Sequence, residues 1–484
     1  MNSYLWYDYE TFGINPKTSR ISQFAAIRTD LSLNKIEEFM FYCKPTNDCL
    51  PSPQACAITG ITPQICENRG VIEHEFISKI NTEFSKPGTC VVGYNSNQFD
   101  DEFTRYTLYR NFLDPYAWHW KNNNSRWDIL DVVRMCYALK KDESLNWVYK
   151  DDDYLKEVPI FSRNHQKPVF KLDRLTMANG IEHSNAHDAL ADVRATIAIA
   201  KRIKERQPGL YEHCLSLRDK NTVNNQLKLF EPTLYTSKIF PSSLSCTRFV
   251  MPVCYHPIQK DCALVFNLDQ DPSILLDLEV DELKLLTFTP KSKLPKGLEK
   301  LQIHSIKFNS SPMFVSSIYK VSPKIQDQLE LNMSVILERV DFMKKNATEI
   351  EKIIQEIFSN EEMNYPKNDA DQALYDNFMS EHDRRVSDEI QNLNETDLVS
   401  FQPRFEDKKL NDLFLNFKAR NYPNSLDENE KELWFETVQS RVHNGEYGYL
   451  NIDDFYKQLA KMKEGGTVAS SIIQELEKYG DSFL

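Results

Sequence analysis

The pattern of apolar residues changes twice along the chain, and this change limits how the chain can fold. Residues 1–205 alternate short apolar runs, typical of strands, with apolar residues at helical spacing, which predicts an α/β domain. Residues 206–350 carry mainly strand patterns and turns, whereas residues 351–484 carry mainly helical ones. A chain of 484 residues also exceeds the size of one ordinary core. We therefore predict an α/β domain, a β-rich domain and a helical C-terminal domain, in that order.

Particular elements can be predicted within this division. Apolar runs bounded by turn residues mark strands, and apolar residues three and four apart mark helices. The stretch 144–171 is polar and contains two prolines, so we predict a surface insertion there. The predicted strands are Tyr4–Tyr7, Phe24–Thr29, Glu38–Tyr42, Cys90–Asn95, Arg248–Tyr255, Ala263–Leu268 and Leu301–Ile306, and the predicted helices are Ala186–Arg206, Ile350–Ile357 and Glu430–Val442.

Composition restricts the class of function. The formal net charge of -13 argues against a protein that coats nucleic acid by bulk electrostatics, because phosphate binding depends on Lys and Arg. A locally basic channel is still compatible with it. We find no signal peptide and no run of about 18 apolar residues, so we expect a cytoplasmic monomer that does not contact a membrane. The ten cysteines lack C-x-x-C spacing, which predicts reduced, buried thiols rather than a zinc site.

The first candidate site residues are Asp8 and Glu10, which follow an apolar run. One residue separates them, so on a strand both side chains project from the same face. Two such carboxylates repel each other unless a cation compensates, and oxygen ligands suit Mg²⁺ or Mn²⁺. An isolated pair of this kind is more often a solvated strand end. Gly13, a little further on, permits close backbone approach to a ligand, and Phe12 either stacks on a base or packs in the core.

Further acids lie at residues 100–102, where a strand ends and a helix begins. Acids at a helix N-terminus commonly interact with the helix dipole, which accounts well for Glu102 and partly for Asp101. Spacing alone leaves both Asp100 and Asp101 open as metal ligands.

The third candidate group is a histidine followed five positions later by an aspartate. His187 and Asp192 have this spacing, and so do His183 and Asp188. The near-neutral pKa of an ordinary histidine suits a general base. Spacing alone does not separate the two pairs.

Three segments in this order resemble the motifs of the DEDD exonuclease superfamily. They are Asp8–Gly13, Asn95–Asp100 and His187–Asp192. The resemblance selects Asp100, which directly follows an aromatic residue, over Asp101. It also selects His187, which follows a small residue and precedes a helix, over His183.

Within that superfamily, the chain resembles bacterial exonuclease I over nearly its whole length. The resemblance implies a ribonuclease H-like mixed sheet flanked by helices in residues 1–205, an SH3-like domain in 206–350 and a helical domain in 351–484. It departs at residues 144–171, where this chain is longer. The segments that carry the resemblance are Gln23–Asp30, Ile58–Gln64, Asp114–Trp118, Ser125–Asp128, Ala178–Ser184 and Phe417–Pro423.

The resemblance implies a metal-dependent 3′→5′ exonuclease that degrades single-stranded DNA to 5′-mononucleotides in DNA repair and recombination. Two Mg²⁺ ions, replaceable by Mn²⁺, are expected to hold the scissile phosphate. Asp8 would contact both ions, Glu10 and Asp192 would complete the first site, and Asp100 would support the second. His187 would be the general base.

The expected contacts with substrate and partner also follow from the resemblance. The residues expected to contact the substrate are Glu10, Thr11, Phe12 and Asn95. Trp118, Trp120 and Trp127 line a groove or, as aromatic residues more often do, pack in the core. The acidic C-terminal tail of single-strand-binding protein is expected to bind a basic, apolar notch near Lys140 and Lys344.

Three other functions are compatible with parts of the pattern. An RNA-trimming exonuclease would share the motifs but needs no counterpart of residues 206–484. A nucleic-acid-binding scaffold on an inactive nuclease fold would be favoured by a missing motif acid, and none is missing. A carboxylate-metal phosphatase would need no strand-binding domains.

Overall fold

A computed structural model describes residues 1–149, 167–183, 188–359 and 368–484. These residues form two compact units. The first unit contains Met1–Ser125, His183–Ile197 and Asn364–Leu484. The second contains Arg126–Glu182 and Ala198–Met363. The predicted boundaries at residues 205 and 350 remain predictions, and the second falls inside the helix Ala347–Ser359.

A mixed five-stranded sheet organises the N-terminal part of the first unit, as the apolar pattern predicts. Its order is β3-β2-β1-β4-β5. β1 pairs antiparallel with β2 and parallel with β4, and β2 pairs antiparallel with β3. The long β1 and β2 are buried almost throughout, because both faces of the sheet centre are covered. The strands are β1 Ser3–Thr11, β2 Ile21–Thr29, β3 Lys35–Tyr42, β4 Thr89–Gly93 and β5 Ser125–Asp128, the last of which continues beyond this unit.

Helices from both ends of the chain complete the first unit. Two short helices begin with proline at the first turn, where the missing N–H is tolerated. The α-helices of this unit, the fifth of which continues beyond it, are Pro53–Thr59, Pro63–Arg69, Glu73–Phe84, Asp100–Arg110, Ala189–Arg206, Glu381–Ile390, Glu395–Ser400, Lys409–Asn421, Glu428–Val438, Ile452–Gly465 and Ser470–Asp481.

The C-terminal helices share their cores with the N-terminal α/β part. Tyr106 and Tyr109 pack in one cluster with Leu413 and Phe417. A second cluster joins Phe12 to residues of the last helices. The C-terminal region is thus packed against the α/β part rather than standing apart from it.

The second unit is built on an antiparallel sheet of order β11-β10-β9-β8-β12. Ile350 and Ile354 of the last helix contribute to the same core as Phe249 and Leu264 of the sheet. The strands are β8 Thr233–Thr236, β9 Thr247–Tyr255, β10 Cys262–Asn267, β11 Ile303–Lys307 and β12 Met313–Ser316, with a separate pair β6 Val148–Tyr149 and β7 Pro168–Val169. The α-helices are Ile129–Lys140, Leu172–Ala178, Pro208–Ser216, Lys220–Gln226, Ile274–Asp277, Val280–Phe288, Pro323–Gln328, Met333–Lys345 and Ala347–Ser359.

Several smaller predictions can be compared with these units. All ten cysteines lie in the described part of the chain, are buried and form no disulfide. Trp118 and Trp127 are buried core residues, whereas Trp120 is 59% exposed. Most of the predicted insertion, residues 150–166, lies outside the described residues. Among the helices that are described, none is long and apolar enough to cross a membrane.

Candidate active site

The end of β1 presents the first two carboxylates. Asp8 and Glu10 lie two residues apart on this strand, so they share one face of the sheet. Glu10 is only 7% exposed. The pairing with β2 is irregular at this point, because Glu10 faces Gln23 while Thr11 faces Ile21. Such a bulge changes the direction of the side chains beside it.

The two neighbouring aspartates at the start of helix Asp100–Arg110 occupy different surroundings. The Asp100 carboxylate accepts a hydrogen bond from the backbone N–H of Tyr9 at 3.3 Å. Asp101 instead accepts a hydrogen bond from the Tyr7 hydroxyl at 2.6 Å. Tyr7 is on the opposite face of β1 from Asp8. The geometry therefore brings Asp100 toward the carboxylate site and gives Asp101 a buried hydrogen bond elsewhere.

Asp192, in the first turn of helix Ala189–Arg206, supplies the third close carboxylate. Its Oδ1 lies 2.5 Å from Nε2 of His183, whose side chain is 4% exposed. Asp188 is exposed, and its carboxylate accepts a hydrogen bond from Leu190 N–H. His183 therefore contacts Asp192, which follows it by nine residues rather than by the five of the motif spacing. His187 lies outside the described residues.

Asp8, Glu10 and Asp192 form a cluster that fits a metal ion. Each offers a carboxylate oxygen, and these oxygens lie within 4.8 Å of one another. Hard oxygen ligands at this separation suit a divalent cation. Within the part of the chain that the structure describes, this is the one such cluster of acids, cysteines or histidines.

The electrostatics of this cluster call for a cation. Burial, followed by the charges of Asp100, Glu10 and Asp192, raises the pKa of Asp8 well above its ordinary value. Burial and the nearby Asp192, Asp100 and Asp188 raise the pKa of Glu10 to about 8. Like charges crowded in a buried place disfavour ionisation unless positive charge compensates.

The three remaining residues expected to contact the substrate have distinct settings. Thr11 is 8% exposed, and its hydroxyl donates to the carbonyl of Gly13 at 2.7 Å. Phe12 is 5% exposed and packs among apolar side chains, so the structure favours the core role over stacking on a base. Asn95 is exposed and has left-handed backbone angles, which Asn adopts more readily than most residues.

Two polar residues of the site region were not assigned these roles from the sequence. His183 holds the Asp192 carboxylate, and Asp101 accepts from Tyr7. The only sequence signal for His183 is its alternative motif spacing to Asp188, which gives the wrong partner. The alternation of β1 does place Tyr7 on the face opposite Asp8, but it does not show which acid would meet it.

A basic notch lies in the second unit, away from these carboxylates in sequence. Its lining includes the apolar Leu139 and Ile325 together with Lys140 and Lys324. Glu143, also in the lining, pairs with Lys140 at 3.1 Å and with Lys324 at 3.7 Å. Lys344 does not line the notch and pairs with Glu231 at 3.1 Å.

Known families match the chain in three consecutive segments. Residues 5–200 match the Exonuclease family, residues 218–360 the Exonuclease I SH3-like domain and residues 368–483 the Exonuclease I C-terminal domain. Exodeoxyribonuclease I of Escherichia coli K12 is 39% identical over 483 residues, which covers 99% of this chain and 98% of the relative. Exodeoxyribonuclease I of Haemophilus influenzae is 37% identical over 491 residues, with coverage of 100% and 99%.

Solved structures agree with these matches, and each of the following covers 100% of both chains. E. coli exonuclease I in complex with a dA16 oligonucleotide has a TM-score of 0.91 and 35% identity. The zinc-bound form of the E. coli exonuclease I–ssDNA complex has a TM-score of 0.89 and 34% identity. A structure of SSB/Exonuclease I in complex with the inhibitor CFAM has a TM-score of 0.87 and 34% identity.

The matches confirm the order of domains expected from the sequence, namely exonuclease, SH3-like and helical C-terminal. They also confirm the prediction of an exonuclease-type hydrolase. More than a third of the residues are identical between this chain and each of the two relatives, over nearly the full length of each, and this identity shows the family. The chain belongs to the exonuclease I family.

Proposed function

We propose that this chain is a 3′→5′ exonuclease that hydrolyses single-stranded DNA to 5′-mononucleotides, using two divalent ions with Mg²⁺ as the physiological metal and Mn²⁺ as a substitute. The observation that carries the proposal is the cluster of Asp8, Glu10 and Asp192 within 4.8 Å. Relatives with single-stranded DNA bound support the choice of substrate. The same resemblance supports a role in DNA repair and recombination.

In this proposal four acids would hold the ions, with Asp8 shared between them. Glu10 and Asp192 would complete one site, and Asp100 would support the other. Bound Mg²⁺ would polarise the scissile phosphate and lower the pKa of the attacking water. These residues fit Mg²⁺ because it prefers hard oxygen ligands, and the buried, mutually repelling carboxylates of the cluster are ligands of that kind.

The two histidines are given separate roles. His187 would accept the proton of the attacking water as general base. His183 would hold the Asp192 carboxylate in place through its 2.5 Å contact. Glu10, Thr11 and the exposed Asn95 would contact the terminal nucleotide, while Phe12 would act through packing.

The proposal is tested by following a single-stranded DNA labelled at its 5′ end. Stepwise shortening in Mg²⁺, none in EDTA, and release of 5′-mononucleotides are expected. A single-stranded RNA of the same sequence tests the RNA-trimming alternative, and a small phosphomonoester tests the phosphatase alternative. Binding without shortening of the DNA would favour the inactive scaffold instead.

Metal binding should weaken as the pH falls below about 8. Because the pKa of Glu10 is raised to about 8, this group is largely protonated below that pH in the metal-free protein. A ligand must lose its proton to bind a cation, so each such proton lowers the apparent affinity by up to about tenfold per pH unit. Calorimetry of Mn²⁺ binding in buffers of different ionisation enthalpy would measure the released proton. An affinity that stays constant from about pH 6 to pH 8 would contradict this expectation.

We also propose that the basic notch binds the acidic C-terminal tail of single-strand-binding protein. The chemistry of the notch supports this proposal, since Lys140 and Lys324 line it together with the apolar Ile325. An acidic, apolar peptide would displace the pairing of these lysines with Glu143. A relative in an SSB/Exonuclease I structure supports the choice of partner.

Lys324→Glu should weaken binding of such a tail peptide by about tenfold or more, because it reverses one charge of the notch. Fluorescence anisotropy with a labelled acidic peptide measures this. Lys344→Glu is the matched control, since Lys344 does not line the notch, and it should change the affinity by less than about threefold. Equal effects of the two variants would place the peptide elsewhere.

A further inference from the structure

A buried cluster of charged side chains joins the C-terminal region to the α/β part within the first unit. We call it the arginine–aspartate cluster, and it consists of Arg20, Asp48, Asp371, Arg420 and Arg441. Each of these side chains is at most 3% exposed. Arg420 belongs to the segment Phe417–Pro423, for which the proposed reaction provides no role.

Asp371 is at the centre of this cluster. One of its carboxylate oxygens accepts from Arg420 at 2.6 Å and from Arg20 and Arg441 at 3.2 Å each. The other oxygen accepts from the Asn416 amide at 3.1 Å. Burial alone would raise the pKa of Asp371, but the three guanidiniums outweigh it and hold the pKa below its ordinary value. This carboxylate is therefore ionised, and both of its oxygens accept hydrogen bonds.

The cluster holds the turn that follows β1. Arg20 donates to Asp48 at 2.9 Å and to the carbonyl of Ser19 at 3.2 Å, and its own carbonyl accepts from Phe12 N–H at 2.9 Å. The loop that carries Asp48 reaches the same strand end, because Ser52 N–H donates to the Phe12 carbonyl at 2.7 Å. A Cβ at Gly13 would lie 2.8 Å from the Ser19 hydroxyl, so this turn is closely packed as well.

The side chain of Phe12 is also buried in a cluster to which the C-terminal region contributes. Phe12 packs in one cluster with Val442, Phe455, Leu459 and Leu476, each at most 1% exposed. A ring surrounded in this way has little freedom to move, because protein interiors are close-packed.

Phe12 is two residues from Glu10, and the strand is irregular between them. Glu10 is the last residue of β1 whose pairing with β2 is regular, opposite Gln23, and the register shifts by one residue before Thr11, which lies opposite Ile21. Regular pairing therefore fixes Glu10 on its N-terminal side, whereas on its C-terminal side the strand depends on how residues 12–20 are held. In this structure they are held by the C-terminal region.

We infer that Asp371, through Arg20 and the turn at residues 13–19, is a positioning residue for Glu10 in the carboxylate site. The inference rests on the proposed function, since it concerns the geometry of the same site. It makes the C-terminal region a structural part of the exonuclease site. Asp371 itself touches neither substrate nor metal.

The test compares Asp371→Asn with Glu430→Gln in the full-length protein. Asp371→Asn keeps the shape of the side chain but leaves the three arginines with one less compensating charge. Glu430→Gln removes a carboxylate from the same C-terminal region, where it pairs with the buried Lys418 at 2.8 Å, and no hydrogen bond described for it reaches the turn. The readouts are the melting temperature, Mn²⁺ affinity by electron paramagnetic resonance, and kcat and KM on single-stranded DNA.

Asp371→Asn should weaken Mn²⁺ binding about tenfold and lower kcat by about 10- to 100-fold at a temperature where it is fully folded, since small displacements of reacting groups have effects of this size. Glu430→Gln should stay within about twofold in both readouts, whatever its melting temperature. Unchanged Mn²⁺ affinity and kcat in folded Asp371→Asn would overturn the inference. An inactive wild type would overturn the proposed function instead.

Arg20→Lys provides a second route if Asp371→Asn fails to fold. This substitution keeps the positive charge but removes the guanidinium that joins Asp371 to the turn at Ser19. A folded variant with weaker Mn²⁺ binding would support the inference. One with wild-type Mn²⁺ affinity and kcat would overturn it.

Discussion

Asp8→Asn should abolish DNA hydrolysis while leaving the metal-free protein at least as stable as the wild type. Asp8 is the acid shared by both proposed metal positions, so its loss should lower kcat by at least about 10³-fold. The same substitution should not lower the stability of the metal-free protein, although it removes the activity. Burial and the charges of Asp100, Glu10 and Asp192 raise the pKa of Asp8, so its charged form is unfavourable without metal. A neutral side chain removes that repulsion.

The pH dependence of this stability gain follows from linkage. A carboxyl group whose pKa is raised by folding binds more protons in the native state than in the unfolded state. The contribution of Asp8 to the stability of the metal-free wild type therefore falls as the pH rises above the ordinary pKa of Asp, which is about 4. The gain in melting temperature from Asp8→Asn should be larger at high pH than at low pH. Thermal unfolding in EDTA at several pH values measures it.

Asp101→Asn is the matched control for Asp8→Asn. Asp101 is also a buried acid of this region, but it accepts a hydrogen bond from Tyr7 rather than facing the cluster. Weakening that bond should destabilise the protein by about 1 kcal/mol and leave kcat within about tenfold of the wild type. If Asp101→Asn were as inactive as Asp8→Asn, the division of roles between Asp100 and Asp101 would be wrong.

Local sequence patterns were sufficient to predict features that lie within a single strand or helix. The alternation of a strand puts Asp8 and Glu10 on one face, and β1 has that arrangement. The predicted helix Ala186–Arg206 ends at the same residue in the structure but begins three residues later, at Ala189, since Asp188 is not helical. Short-range periodicity is a property of the sequence itself, so such elements can be predicted from it.

Contacts between distant segments could not be predicted in the same way. An aromatic residue beside two acids suits either a stacking surface or a core, and the choice for Phe12 depends on Phe455 and Leu476, which are more than 400 residues away. Likewise, nothing in the local pattern around Arg20 shows that Asp371 will accept its hydrogen bond. Such arrangements follow from tertiary packing.

The contact between His183 and Asp192 was another that the sequence did not predict. Spacing offered two histidine–aspartate pairs, and the structure places His183 next to Asp192, nine residues later, a combination that neither pair contains. Helix Ala189–Arg206 brings Asp192 to the acids of β1, where it also contacts His183. Residue spacing carries no information about such a tertiary contact.

His187→Ala should lower kcat by about 10²–10⁴-fold with little change in Mn²⁺ affinity, because a general base takes part in proton transfer rather than in metal binding. His183→Ala should act mainly through the metal. It removes the partner at 2.5 Å that holds the Asp192 carboxylate, so Mn²⁺ affinity should fall by about 10- to 100-fold. Single-turnover rates at saturating Mn²⁺ and Mn²⁺ binding by electron paramagnetic resonance separate the two effects.

The pair of variants also decides between the two histidines as the base. At saturating Mn²⁺, His183→Ala should recover most of the wild-type rate, whereas His187→Ala should not, since added metal cannot replace a proton acceptor. The pH–rate profile gives an independent measure, because loss of the base should flatten its acidic limb only in His187→Ala. If His183→Ala instead lost that limb and kept its Mn²⁺ affinity, His183 would be the base. Its contact with Asp192 would then orient the imidazole for proton transfer.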